Sequence, residues 1–156
     1  MGIAITLAQY LEERGVTYEV IEHPRTETAS QSAEASRVLP DRIAKAVVLA
    51  GEDGFILAVL PASRHIQFEE LRKELGRHVD IAKEEQIETL FVDCESGAVP
   101  ALGGAYGVKV IVDDSLANQP EMYLEGGDHR SLVHISGPAF RELLADARHA
   151  RFTGPA

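Results

Sequence analysis

The sequence predicts an α/β (α+β) domain, with a mixed, largely antiparallel sheet or partly closed β-barrel surrounded by helices. Three observations point there. Two β-rich runs, Ile43 to Ala50 and Phe55 to Leu60, flank Glu52-Asp53-Gly54, an Asp-Gly turn and the strongest short-range hairpin signal in the chain. Apolar residues recur at helical spacing near both ends. Between them, helical and strand-like segments follow one another without the regular rhythm of a doubly wound sheet, which favours a mixed sheet with helices around it.

Ile5, Leu7, Ala8 and Leu11 form an apolar stripe stopped by Gly15, so residues 3–14 should be helical. Thr17 to Ile21 alternates towards a short strand, broken at His23-Pro24 because proline lacks an amide donor and restricts the residue before it. Thr28 or Ser30 can cap a second helix with Ala29, Ala33, Ala35 and Val38 on its apolar side and Pro40 at its end. After the hairpin, Glu69 to Leu75 reads as a surface helix ended by Gly76, and Lys83 to Leu90 as another, with a short strand at 79–82 between them. Residues 95–107 carry four glycines, one proline and small side chains, which is loop chemistry of a length that often serves function. Val108 to Val112, Met122 to Leu124 and Ser131 to Ile135 read as strands, with a turn at Asp113-Asp114-Ser115. Pro138 to Ala147 closes the fold as an amphipathic helix. Residues 1–148 are thus expected to form one domain, and 149–156 a flexible tail.

A chain of 156 residues with a net charge of −10, 45% hydrophobic and 26% charged residues has room for a real core and lacks the composition of disorder. It shows no run apolar enough for a membrane helix and no basic, apolar leader, so it is expected to be cytoplasmic. The lone Cys94 cannot form an internal disulfide, and the histidines are scattered without metal-ligand spacing, so neither a metal nor another cofactor is expected. The acidity argues against a broad nucleic-acid surface and against DNA as a partner. It is unevenly spread. Residues 25–64 hold five basic residues (Arg25, Arg37, Arg42, Lys45, Arg64) and five acidic ones, leaving this stretch neutral.

Lys45 interrupts the run Ile43-Ala44-Lys45-Ala46-Val47-Val48-Leu49, and either faces solvent on a half-exposed strand or lines a cleft. As a compact point charge on a strand, it would suit a phosphate or a developing oxyanion. Gly97, Gly103, Gly104 and Gly107 either form a plain connector or let the backbone approach a ligand, and their order matches neither the P-loop nor the dinucleotide fingerprint. In Glu125-Gly126-Gly127-Asp128-His129-Arg130, His129 and Arg130 sit at a turn, either solvated or facing a pocket as a proton carrier and an anion holder. Cys94 reads as a small buried hydrophobe, because Asp93 and Glu95 would raise its pKa and suppress the thiolate. No serine-histidine-aspartate order or nucleophile elbow is present.

Four segments in order carry a resemblance. They are Ile43 to Leu49 after an alanine-rich helix, Gly97-Ala98-Val99-Pro100-Ala101-Leu102-Gly103, Val112-Asp113-Asp114-Ser115-Leu116, and Gly126-Gly127 before Leu132-Val133-His134-Ile135-Ser136. Together, over about Thr6 to Leu144, the chain resembles the YbaK/ProX family of trans-editing aminoacyl-tRNA deacylases, relatives of the insertion domain of bacterial prolyl-tRNA synthetase. The resemblance implies a free-standing hydrolase acting on the ester of mischarged tRNA, with tRNA and an aminoacyl-tRNA synthetase as partners. It implies that Lys45 holds the tRNA terminus by its phosphate, that Gly97 and the backbone through Val99, Pro100 and Ala101 orient the ester, and that His129 is the pocket histidine, with Arg130 beside it. The chain departs from the family's glycine-x-x-x-proline loop, since the proline falls one place early at Pro100 and Ala101 takes its position. A non-catalytic tRNA- or synthetase-binding module of the same fold, and a small-molecule ester or amide hydrolase, are the competing readings.

Overall fold

The computed structural model describes residues 2–155. Among the described residues, five α-helices and ten strands are arranged as α1 (Ile5–Glu13), β1 (Glu19–Glu22), α2 (Ala29–Ser36), β2 (Ile43–Gly51), β3 (Gly54–Pro61), β4 (Arg64–Ile66), α3 (Phe68–Leu75), β5 (Asp80–Ile81), α4 (Glu84–Leu90), β6 (Lys109–Asp113), β7 (Glu121–Glu125), β8 (Ser131–Ser136), α5 (Gly137–Leu143), β9 (Arg148–Ala150) and β10 (Thr153–Pro155). No helix among the described residues is long and apolar enough to cross a membrane.

The main sheet runs β1-β8-β7-β2-β3-β6-β9, with β5 added to β2. It is mixed and open. β1 with β8, β8 with β7, and β2 with β3 and β5 are antiparallel, whereas β2 with β7, β3 with β6 and β6 with β9 are parallel. The expected mixed sheet is therefore present but does not close into a barrel, because β1 and β9 lie at opposite ends of the strand order and do not pair. Parallel partners also take a larger share than the sequence suggests, since β6 returns beside β3 after the long excursion through α3, α4 and the glycine loop.

Alternation along the β2–β3 hairpin sorts its side chains to two cores. Ala44, Val48, Leu57 and Val59 join the large core with Leu7 and Leu11 of α1, Phe91, and Phe140 of α5. Leu49, Ile56, Ala58 and Leu60 join a second core under α3 with Leu71 and Phe152. A small third cluster, Ala33, Ile43, Ala62 and Leu132, seats α2 against the sheet.

Helix boundaries follow local chemistry. The Thr28 hydroxyl caps α2 by accepting from the Gln31 amide at 3.1 Å, which settles the choice between Thr28 and Ser30. That helix stops at Arg37, which is left-handed, rather than running on to Pro40. α1 has no cap from its own side chains; the Thr6 amide donates to Asp93 Oδ2 at 2.8 Å, so a remote loop satisfies its N-terminus. α5 is shorter than expected and ends at Leu143.

The expected C-terminal tail is ordered through Pro155. β9 extends the sheet beside β6, and β10 pairs with β4 as a separate ribbon. The cause is tertiary. Phe152 is fully buried in the second core, and Asp113 Oδ1 accepts its amide at 2.9 Å. Burying a phenylalanine contributes roughly 2–3 kcal/mol, and it acts together with the β9 and β10 pairings and the Asp113 bonds against an ordering cost of about 1–2 kcal/mol per residue. The loop at 95–107 is also packed rather than open, with Ala98 to Gly103 buried and a 3-10 turn at Gly103–Tyr106.

Candidate functional site

β2 has different partners along one edge. Ile43 and Ala44 pair with β7, and Leu49 and Ala50 with β5, while residues 45–48 have no strand partner on that side. A cavity of about 140 Å³ opens beside this gap, where β7 ends and peels away. Its wall brings together Lys45 and Ala46 of β2, Gly97 and Val99 of the glycine loop, Glu125 at the end of β7 and His129 after it, and Thr28 and Ser32 of the α2 cap and helix.

Lys45 sits opposite Leu60 on β3, between Ile43 and Val47 on its own face of the strand. Among the described residues its ammonium has neither an ion-pair nor a hydrogen-bond partner, and burial pushes its pKa down. Lys45 is half-buried on a central strand, and its ammonium, which no protein group neutralises among the described residues, is available to an incoming anion. Of the two readings open to the sequence, the cleft is the one observed.

The far wall is one interlocked unit. His129 is 3% exposed and has φ +62°, and its Nε2 lies 2.6 Å from the Ser96 carbonyl oxygen. A carbonyl only accepts, so Nε2 carries the hydrogen and donates. Glu95 donates its amide to the Gly127 carbonyl at 2.8 Å, and Arg25 pairs with Glu95 at 2.7 Å. Gly97 has φ +81°, a conformation glycine adopts without penalty. The Ala98 amide is taken by the Glu95 carbonyl at 2.9 Å, while the amides of Gly97 and Val99 have no acceptor among the described residues.

Lys45, Gly97, Val99 and His129 of the expected set thus meet at one cavity. Pro100, Ala101 and Arg130 do not line it, because Pro100 and Ala101 are buried beneath the loop and Arg130 is exposed on the turn. Thr26, Thr28 and Ser32 from the α2 approach, and Glu125, are cavity residues that the sequence reading passed over. The signal for Glu125 is a carboxylate just ahead of Gly126-Gly127, where free turn amides need an acceptor. Cys94 is half-buried, and its thiol is pushed up to about 11, first by burial and then by the charges of Asp93 and Glu125, Glu125 taking the part expected of Glu95. It is no nucleophile at neutral pH.

A larger cleft, about 760 Å³, lies between the end of α1, β1, β8 and α5. Size does not make it the better site. Its His134 is held at both ring nitrogens, by Glu19 at 2.7 Å and Glu121 at 2.9 Å, and stacks on Tyr123. Its central polar groups are already engaged with one another.

Comparison with known proteins gives the chain a family. The chain is 34% identical over 107 residues to the proline–tRNA ligase of Thermosipho africanus, covering 65% of this chain and 18% of that protein. It is 29% identical over 123 residues to the proline–tRNA ligase of Thermosipho melanesiensis, covering 76% and 21%. The chain spans about a fifth of the length of the curated relatives it matches. The crystal structure of a candidate trans-editing enzyme for prolyl tRNA synthetase superposes with a TM-score of 0.82 at 26% identity, over 96% of this chain and 95% of that one. The model of the aminoacyl-tRNA editing domain matches residues 23–143, a span that holds every wall residue of the cavity, and the chain belongs to the aminoacyl-tRNA editing domain family.

Proposed function

We propose that the chain is an aminoacyl-tRNA deacylase, hydrolysing the ester between a small amino acid and the terminal ribose of a mischarged tRNA. The observation that carries this reading is the unpaired Lys45 ammonium on β2, facing a cavity whose opposite wall is the Gly97 loop. Family membership supports an editing role, and the near-complete overlap with a candidate trans-editing enzyme supports action in trans.

In this reading Lys45 holds a phosphate near the tRNA terminus as a point charge, and the ester enters beyond it. Water attacks the ester carbonyl carbon, the bond to the ribose oxygen breaks, and that oxygen leaves with a proton as the amino acid departs. The amides of Gly97 and Val99 are the donors positioned for the oxyanion of the tetrahedral intermediate. His129 has its Nε2 hydrogen committed to Ser96, so it is a positioning residue that fixes the loop. The ribose hydroxyl beside the ester assists the attacking water, so the chain contributes placement and electrostatics rather than a nucleophile. Each water in the liquid occupies about 30 Å³. The cavity of about 140 Å³ therefore suits a small aminoacyl group, and the terminal adenosine stays at the mouth. A synthetase holding the tRNA body is the second partner this reading expects.

A deacylation screen over tRNAs charged with small amino acids tests it. The wild type should release at least one of them, and Lys45→Ala should lower kcat/KM by about 10²-fold, the scale of losing one charge-assisted contact plus orientation. Lys45→Ala deacylating every mischarged tRNA as fast as the wild type overturns the reading. Wild-type binding without turnover on any member of the panel makes the chain a binding module instead.

A further inference from the structure

Glu125 closes β7 at the rim of the same cavity, and its two carboxylate oxygens have different fates. Oε2 accepts three backbone amides, from Gly127 at 2.8 Å, Asp128 at 3.2 Å and His129 at 3.2 Å. Oε1 has no hydrogen-bond partner among the described residues and is not among the buried unpartnered atoms, so it is reachable from solvent. The three amides hold the carboxylate rigidly, and nothing on the protein neutralises it within 4.0 Å among the described residues. The cavity's other carboxylate, Glu27, is paired with Arg25 at 3.0 Å. The described wall of the cavity therefore presents one free cation, Lys45, and one free anion, Glu125.

An aminoacyl ester at a tRNA terminus has a matching pair of charges, phosphates on the nucleotide side and one ammonium on the amino acid's α-carbon. We propose that Glu125 Oε1 binds the substrate's α-ammonium and makes the site selective for esters with a free α-amino group over N-acylated ones. This rests on the deacylase reading and adds to it a chemical class, because an N-blocked ester, such as a formylated or peptidyl one, leaves Glu125 buried against an amide with no charge to offset it. Rejection by an unmet polar group is stronger than rejection by shape alone. Glu125 has a second role through Oε2, since it pins the turn that carries His129. Glu125→Gln keeps an acceptor for those amides while removing the charge, so the two roles separate.

The experiment compares a tRNA charged with a small amino acid with the same aminoacyl-tRNA acetylated on its α-amine, for wild type and Glu125→Gln. Wild type should prefer the free amine by about 10- to 100-fold in kcat/KM, mostly through KM, the range expected for one charge-assisted hydrogen bond. In Glu125→Gln the ratio should fall to within about threefold. A purely structural role would slow both substrates and leave the ratio unchanged. Binding of a non-hydrolysable amide analogue of aminoacyl-adenosine, with its amine free or acetylated, gives the same comparison without turnover. A wild-type ratio near unity, or a Glu125→Gln ratio equal to the wild type's, overturns the proposal and leaves the deacylase reading standing. Preference for the free-amine analogue without turnover on any aminoacyl-tRNA sinks the deacylase reading and leaves the ammonium site in place.

Discussion

At the scale of single residues, Gly97 and His129 are each held in left-handed backbone, and the His129 ring is tied to Ser96, the residue before Gly97. A Cβ built on Gly97 would lie 3.6 Å from His129 Cε1 and 3.7 Å from Nε2, which is ordinary contact. Space is not the obstacle; φ +81° is. Gly97→Ala should cost about 1–2 kcal/mol of local strain and, by moving the two free amides, lower deacylation by about tenfold or more. A urea titration beside the deacylation rate checks both figures, and a rate loss no larger than the fraction unfolded would remove Gly97 from the site. The sequence carries this pairing only partly. Lys45 was visible as a charge in an apolar strand, and the turn at His129 as a turn, but residues 45, 97 and 129 share no periodicity. Resemblance joined them. Glu125 stayed hidden because its worth comes from three amides that exist only once the turn has folded.

At the scale of elements, Asp113 decides whether the last eight described residues belong to the fold. It ends β6, is 2% exposed, and accepts from the Phe152 amide at 2.9 Å, the Thr153 hydroxyl at 3.0 Å, and the Ser115 amide at 3.1 Å. Arg64 Nε donates in turn to the Thr153 hydroxyl oxygen at 2.6 Å, which ties β4 and β10 to the same carboxylate. Asp113→Ala leaves buried donors without an acceptor and should cost about 2–4 kcal/mol, read as a lower urea midpoint with early loss of protection in 148–155. The pH dependence has a definite sign. Burial pushes the Asp113 carboxyl up, but the bonds from Phe152, Ser115 and Thr153 more than reverse this and hold it below the ordinary carboxylate range. A carboxylate with a depressed folded pKa stabilises fully above its unfolded value near about 4 and loses that contribution as pH falls through the folded value. Asp113→Asn should therefore flatten the acid limb of the stability curve below about pH 4 while leaving its shape near neutrality intact. Such ties explain which elements the sequence shows. The β2–β3 hairpin is legible because Asp53-Gly54 turns it locally, with Gly54 at φ +106°. β4, β9 and β10 are three residues each, too short for alternation to register, and they exist because Phe152 and Asp113 find partners far along the chain.

At the scale of the whole molecule, the deacylase reading requires a net charge of −10 to coexist with binding to a polyanion. The neutral stretch at 25–64 contributes Lys45 to the cavity wall along with Thr26, Thr28 and Ser32, so the wall that carries the cation comes from the part of the chain that escapes the acidic bias. Several of its other cations are already spent. Arg25 pairs with Glu27 and Glu95, Arg42 with Glu121, and Arg64 donates to Thr153, which leaves Lys45 as the cation facing the cavity. Recognition of a single-stranded terminus through one or two phosphates releases few counterions, with a log–log salt slope of about −0.7 per contact. Raising salt from about 50 to about 200 mM should therefore reduce kcat/KM by only about three- to sevenfold, chiefly through KM. Lys45→Ala should shallow that slope by close to one contact. A fall of about a thousandfold over the same range would mean a broad basic surface contacting the tRNA body, which this charge distribution does not provide. A rate wholly indifferent to salt would mean that Lys45 holds no phosphate at all, and would move the recognition of the substrate onto the aminoacyl end.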